Sequence, residues 1–229
     1  MRWTGRAVAA GVLTTMLTFL SPPRAQGVFD MGQLTNTLSL DALTQSEAQR
    51  AAPTASVSTT FRPSPEVRKR NFAGIVSRVR ATDPKTAAEL ERALASQDVI
   101  ALAGKGIAKY GLKTNDVADT LTVYFITAWY GMRGRDDDPS RALVTAVRQQ
   151  FVSAMSRTPG FARTTDAQKQ EIAEGMLIQT MLVSGYVQAA KKNPALLGQV
   201  KTAIGQGAKA TFGFDLESVQ LTEKGLQRS

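Results

Sequence analysis

The sequence predicts an all-α fold: one globular bundle of about seven helices around two buried central helices, with a short irregular C-terminal latch. Three observations lead there. Two long segments, about 115–132 and 166–192, carry apolar residues around most of the helix circumference, the pattern of a helix with neighbours on several sides. Ser64-Pro65, Asp83-Pro84, Asp138-Pro139 and Asn193-Pro194 each set a capping residue before a proline. The cap side chain accepts from an unpaired amide, and proline suits the first helical position, where its missing N–H costs nothing. No alternating apolar run of strand length occurs.

Residues 1–25 read as a Sec-type signal peptide. Arg2 and Arg6 precede an apolar run from Ala7 to Leu20, and Ser21-Pro22-Pro23 breaks it before a cleavage expected near Ala25. The run is shorter than the roughly 20 apolar residues a bilayer crossing needs. No Arg-Arg pair suggests the twin-arginine route, and a chain with no cysteine cannot be a lipoprotein. The expected location is periplasmic or secreted, with no transmembrane segment in the mature chain. Residues 26–63 are poor in aromatics and rich in Ser, Thr, Ala and Gln. They read as a disordered linker that buries too little apolar surface to offset ordering, apart from a weak helical turn in TLSLDAL. The domain is then 64–226, expected to fold without residues 1–63. With no disulfide framework it rests on its core alone.

The caps set the elements. The first helix runs about 65–80 with Phe72, Ile75, Val76 and Val79 inward. The second runs about 84–96 with Ala87, Leu90 and Leu94 inward. A third starts at Asp98 and stops at Gly111, either separate from the second or its bent continuation. Thr114-Asn115 caps the central helix, where Val123, Ile126 and Tyr130 share one side and Leu121, Tyr124, Phe125 and Ala128 cover much of the other. A fifth helix starts at Pro139 and aligns Leu143, Val147, Phe151 and Met155. Thr165-x-x-Gln168 is a capping box for the sixth, about 166–192, expected to lie against the central helix. A seventh runs from Pro194 to near Gly213, and the tail 214–226 has no clear period.

The segments SPEVRKRN, DVIALAGKGIAKYGL, NDVADTLTVYFITAW, DDPSRA and LESVQLTEKG together resemble a bacterial family of exported domains of unknown function. The resemblance covers about 62–226, and NDVADxxxxYxxxAW is its most specific part. It implies export and a helical fold. It implies no reaction.

Composition excludes chemistry more readily than it assigns any. With no histidine and no cysteine, the commonest general base, the commonest zinc ligands and thiol nucleophiles are missing together. Asp136-Asp137-Asp138 does not fit a calcium loop, because Arg141 and Val147 stand where an EF-hand has glycine and glutamate. Gly104-Lys105-Gly106 lacks the pattern of a phosphate loop. No metal or cofactor is expected.

The candidate binding residues are Arg68, Asp119, Trp129 and Tyr130. Asp119 lies on the face of Val123, Ile126 and Tyr130, and a buried carboxylate needs a partner. Arg68, on the apolar face of the first helix, is the expected one, and pairing would depress the Asp119 pKa. Trp129 and Tyr130 bring aromatic surface. Glu171 and Glu174, read as a solvated first turn, offer the second carboxyl that a glycan hydrolase requires. The formal charge of +9 includes Arg2, Arg6 and Arg24 of the leader, and the rest suits a solvated basic face or an anionic surface. The leading expectation is a non-catalytic exported domain that binds a protein or an envelope component. Nucleic acid is not an expected partner. The alternatives are a carboxylate-dependent cell-wall glycan hydrolase and an anionic-surface binding domain.

Overall fold

The computed structural model describes residues 40–44, 57–158 and 160–229. The predicted leader, and the remainder of the predicted linker, lie outside the described residues. Helix α1 is Leu40–Thr44. Ser64 caps α2, Pro65–Thr82, by accepting from the Val67 amide. Asp83 caps α3, Pro84–Ser96, through the Lys85 and Thr86 amides. Gln97 is fully extended (φ −157°, ψ 154°), so α3 and α4, Val99–Ile107, are two helices and not one bent rod. A 3₁₀ turn, Ala108–Tyr110, carries α4 to Gly111, whose φ of +76° suits a residue with no Cβ.

Two caps differ from expectation. Helix α5, Val117–Gly131, is capped by Asp116 and not by Thr114-Asn115; its carboxylate accepts from the Ala118 and Asp119 amides. Helix α6, Arg141–Arg157, is capped by Ser140, two residues after the expected Asp138. The Asp138 carboxylate is engaged elsewhere, accepting from Lys109 Nζ at 2.8 Å and the Tyr110 hydroxyl at 3.3 Å. Helix α7, Asp166–Ala190, opens with the predicted capping box of Thr165 and Gln168. Asn193 caps α8, Pro194–Phe212, which ends at Gly213 (φ +76°). The tail forms the expected latch as a short hairpin: β1, Val219–Thr222, and β2, Gly225–Arg228, pair antiparallel with Val219 opposite Arg228.

Helices α5 and α7 form the most extensively packed pair, as their all-round apolar surfaces require. Thirteen of the fifteen residues of α5 are buried. The two run parallel, because segment 58–60 ties both N-termini while Gly131, at the α5 C-terminus, lies against Val183 and Val187 of α7. A Cβ on Gly131 would sit 2.8 Å from Val183 Cγ1, so the glycine permits the close crossing. Helix α7 also packs on α2, α4 and α8, and α5 on α6 and α8. Phe125 fills the interior with its ring edge on Phe151 and Phe212, at 5.8 and 5.0 Å between centroids, and Tyr124 stacks on Phe212 at 5.6 Å. These are favourable aromatic geometries.

The packed domain starts before Ser64, which corrects the linker expectation for residues 57–63. Phe61 is buried. The Phe61 amide donates to the Asn115 carbonyl, and the Val117 amide donates to the Thr59 carbonyl. Lys169 Nζ donates to the Ser58 carbonyl at 2.7 Å, and Gln170 exchanges two hydrogen bonds with the Ser64 main chain. Farther back, Leu43 of α1 is fully buried against the bundle, where α1 packs on α6 and β2. This is the helical turn expected in TLSLDAL, whereas composition misjudged 57–63 because its few apolar side chains are spaced to fill a surface made by other elements.

Candidate functional site

The four residues singled out in the sequence fall in four environments. Arg68 does not meet Asp119. Its Nε donates at 2.8 Å to Glu174 of α7, and its guanidinium also lies 3.6 Å from Asp98. Glu174 is 1% exposed, contrary to the solvated reading, and accepts two further hydrogen bonds, from Asn71 Nδ2 at 2.8 Å and Gln170 Nε2 at 2.9 Å. Three donors thus satisfy the hydrogen-bonding capacity of this buried carboxylate. Its position was legible: Glu174 precedes Leu177 and Ile178 by three and four residues on a helix that is apolar nearly all round.

Asp119 is 2% exposed and pairs instead with Arg148 of α6, whose Nε donates to Oδ1. The Lys113 amide donates to Oδ2 at 2.7 Å. The same guanidinium reaches Asp116 at 3.2 Å, so one arginine joins the α5 cap to the first buried turn. Burial pushes the Asp119 carboxyl up from its ordinary value, against the hydrogen bonds from Arg148 and Lys113 that favour its ionised form. The expectation of a depressed pKa is therefore reversed in direction. Arg148 was missed because nothing along the chain distinguishes which cation on another helix a first-turn acid will face.

Trp129 is half-buried at the latch. Its indole N–H donates to the Val219 carbonyl at 2.9 Å, and the Arg133 guanidinium lies over the ring, 3.7 Å from its centroid. Trp129 thus ties α5 to β1.

Tyr130 is the candidate that faces a concavity. A small cleft of about 20 Å³, room for about one water, lies between the C-terminal halves of α5 and α7 under the loop that follows α5. Ile126, Val183 and Val187 form its apolar floor, with Tyr130 and Ser184 beside it. On the rim, Arg135 pairs with Asp137 at 2.5 Å and lies 5.0 Å from the centroid of the Tyr130 ring, while Asp136 pairs with Lys191. Burial pushes the Tyr130 phenol up from its ordinary value, against the nearby Arg135 charge.

Two polar atoms of the lining, buried from solvent, have no hydrogen-bond partner: Thr127 Oγ1 and Gln188 Nε2. The helical environment does not account for Thr127. On the same helix Thr120 and Thr122 return their hydroxyls to the Val117 and Ala118 carbonyls, and Thr180 does so on α7. That is the usual outcome for a buried helical threonine. Thr127 is 8% exposed and is one of the residues that line the cleft.

The buried acids among the described residues are all engaged: Asp83 and Asp116 as caps, Asp119 with Arg148, Glu174 with Arg68. Neither Asp119 nor Glu174 lines the cleft. Along α5, Thr127 lies about 12 Å from Asp119 at 1.5 Å per residue. Among the described residues no three His, Cys, Asp or Glu side chains are grouped to hold a metal, and no helix is long and apolar enough to cross a membrane.

A family model, the family of unknown function DUF6683, matches residues 14–229. The chain belongs to this family. The match extends beyond the 62–226 of the sequence resemblance at both ends, so the DUF6683 pattern takes in the 57–63 segment and the whole C-terminal hairpin. No curated protein and no solved structure matches the chain. What a DUF6683 domain does must therefore be argued from its own cleft.

Proposed function

We propose that this chain is an exported, non-catalytic binding domain that takes its partner, an envelope component, at the cleft between α5 and α7. The observation that carries this reading is the concave surface itself, where Tyr130 and Ser184 stand beside an apolar floor of Ile126, Val183 and Val187, and where the lining residues Thr127 and Gln188 each keep a side-chain atom without a partner. Spare polar capacity in an apolar concavity is the composition of a recognition site, because a buried polar atom without a partner costs about 1 to 3 kcal/mol. Catalysis by paired carboxylates is disfavoured by the same geometry, since the buried acids already serve as caps or ion-pair partners. The anionic-surface reading is weakened at α2, where Arg68 and Arg80 are paired with Glu174 and Glu91. Export rests on the pattern of residues 1–25.

The test is retention of an envelope component by immobilised full-length protein, compared with Ser184→Trp, which fills the mouth from a half-buried position. Circular dichroism establishes that both are folded. The expected result is a component retained by the wild type and lost with Ser184→Trp. Equal retention by the two proteins, or no retained component, overturns the proposal.

A further inference from the structure

We propose that the groove between α6 and β2 receives helix α1 of a second copy of this chain, so that two molecules exchange their α1 segments and close into a dimer. The groove is seen with its occupant in place. Helix α1 packs on α6 and on β2, with Leu43 fully buried and Leu40 partly buried against the same core. The two leucines stand three residues apart, which puts them on one face of the helix. Asp41, on the exposed side, pairs with Arg228 of β2, and Arg157 of α6 donates at 3.0 Å to the Ala42 carbonyl. The groove thus selects a short helix that brings a leucine, an acidic side chain and a main-chain acceptor, the three features that LDALT supplies.

The attachment of α1 is slight. A helix of five residues is far below the length that is stable by itself, so α1 is helical because it is docked. One buried leucine and two contacts to arginines are a small part of a domain's stability, and such an element detaches in a local opening that leaves the bundle folded. Residues 45–56, QSEAQRAAPTAS, contain no aromatic, Leu, Ile, Val or Met residue, so the connection offers no large apolar side chain to anchor α1 to its own domain. From Thr44 to Val57 the chain reaches up to about 45 Å when extended, more than the roughly 40 Å across a domain of this size. The α1 contacts can therefore form in a neighbouring molecule without any new surface, which is the condition for domain swapping, and reciprocal exchange fills both grooves and stops at two chains. A short connection acts as a local concentration in the millimolar range. The chain's own α1 consequently prevails in dilute solution, and exchange grows as the protein approaches that range.

The chain has no cysteine, so cysteines placed on the two sides of the contact report which molecule each α1 occupies. Full-length Asp41→Cys and full-length Arg228→Cys, both at exposed positions, are mixed at about millimolar concentration and joined with a short bis-maleimide. The expected product is a cross-linked heterodimer at least about tenfold more abundant than either homodimer. Adding Leu43→Asp to the Asp41→Cys chain places a charge in the buried socket and should lower that yield at least about tenfold, as the loss of one buried leucine predicts. Arg157→Met in the Arg228→Cys chain removes the donor to Ala42 while keeping the aliphatic stem, and should lower the yield severalfold. Circular dichroism establishes that each variant is folded. With both cysteines on one chain, cross-linked monomer is expected in dilute solution and cross-linked dimer near millimolar concentration.

Cross-linked monomer alone at every concentration, or a heterodimer no more abundant than the homodimers, makes α1 a fixed part of its own domain and overturns the proposal. A heterodimer whose yield neither Leu43→Asp nor Arg157→Met lowers arises from random collision and overturns it equally.

Discussion

Glu174 joins α7 to α2 through its buried carboxylate. It accepts from Arg68, Asn71 and Gln170, all within 2.9 Å, so replacing one carboxylate oxygen by NH₂ turns a donor toward a donor. Glu174→Gln is expected to destabilise the protein by about 2 kcal/mol, the cost of leaving a buried hydrogen-bonding group unsatisfied. Urea melts of the variant check this, and a change below about 0.5 kcal/mol, typical of a surface site, would count against the assigned geometry. Asp119 has a different signature, in pH. Burial places its folded pKa above the ordinary value of 3.8. The stability tied to its protonated form is therefore fully present below 3.8 and is lost as pH rises through the folded value. The stability difference between wild type and Asp119→Asn should consequently move against the wild type as pH rises through that window. A difference that moved in the wild type's favour would show that the ion pair with Arg148 outweighs desolvation.

At the scale of an element, the C-terminal hairpin is held through main-chain contacts to a side chain. Gln150 of α6 donates to the Leu226 carbonyl at 2.9 Å and accepts from the Leu226 amide at 2.7 Å, as a neighbouring strand would. Gly225, beside it, has φ +94°, and a Cβ there would lie 2.3 Å from Gln150 Oε1. Gly111 provides the comparison, with φ +76° and open space around its Cβ position. Gly111→Ala should cost only the left-handed backbone penalty, about 1 to 2 kcal/mol. Gly225→Ala should cost that and displace Gln150, giving at least about 2 kcal/mol more once the buried amide loses its partners. Chemical denaturation of the two variants checks the order, and the Trp129 fluorescence should change only with Gly225→Ala, because its indole N–H is bonded to β1.

For the whole molecule, the decisive segment is 57–63. It ties the N-termini of the two central helices, with Phe61 inside the core and Lys169 Nζ donating to the Ser58 and Thr60 carbonyls. Deleting residues 1–63 should lower stability by at least about 2 kcal/mol relative to deleting residues 1–56, because a buried phenylalanine contributes about 1.5 to 3 kcal/mol and the caps of α5 and α7 lose contacts. Thermal melts of the two truncations check this. Identical midpoints would restore the boundary at Ser64.

The sequence by itself determined the helices and their order. Propensity, capping and periodicity are local, so Ser64, Asp83, the Thr165 box and Asn193 mark starts that the structure bears out. It also determined that α5 and α7 lie together, since a helix apolar on all sides can be buried only by neighbours. Tertiary structure decided the rest. Asp138 loses its cap role to contacts with Lys109 and Tyr110 from a different element, and Asp119 and Arg68 take partners from helices that sequence distance does not order. The cleft was legible only through Tyr130. Thr127 precedes it by three residues and looks like any helical threonine until its hydroxyl is seen to lack a partner. Hydrogen-bond satisfaction is a property of three-dimensional neighbours, and that is why the residues that best define the candidate site were the last to be found.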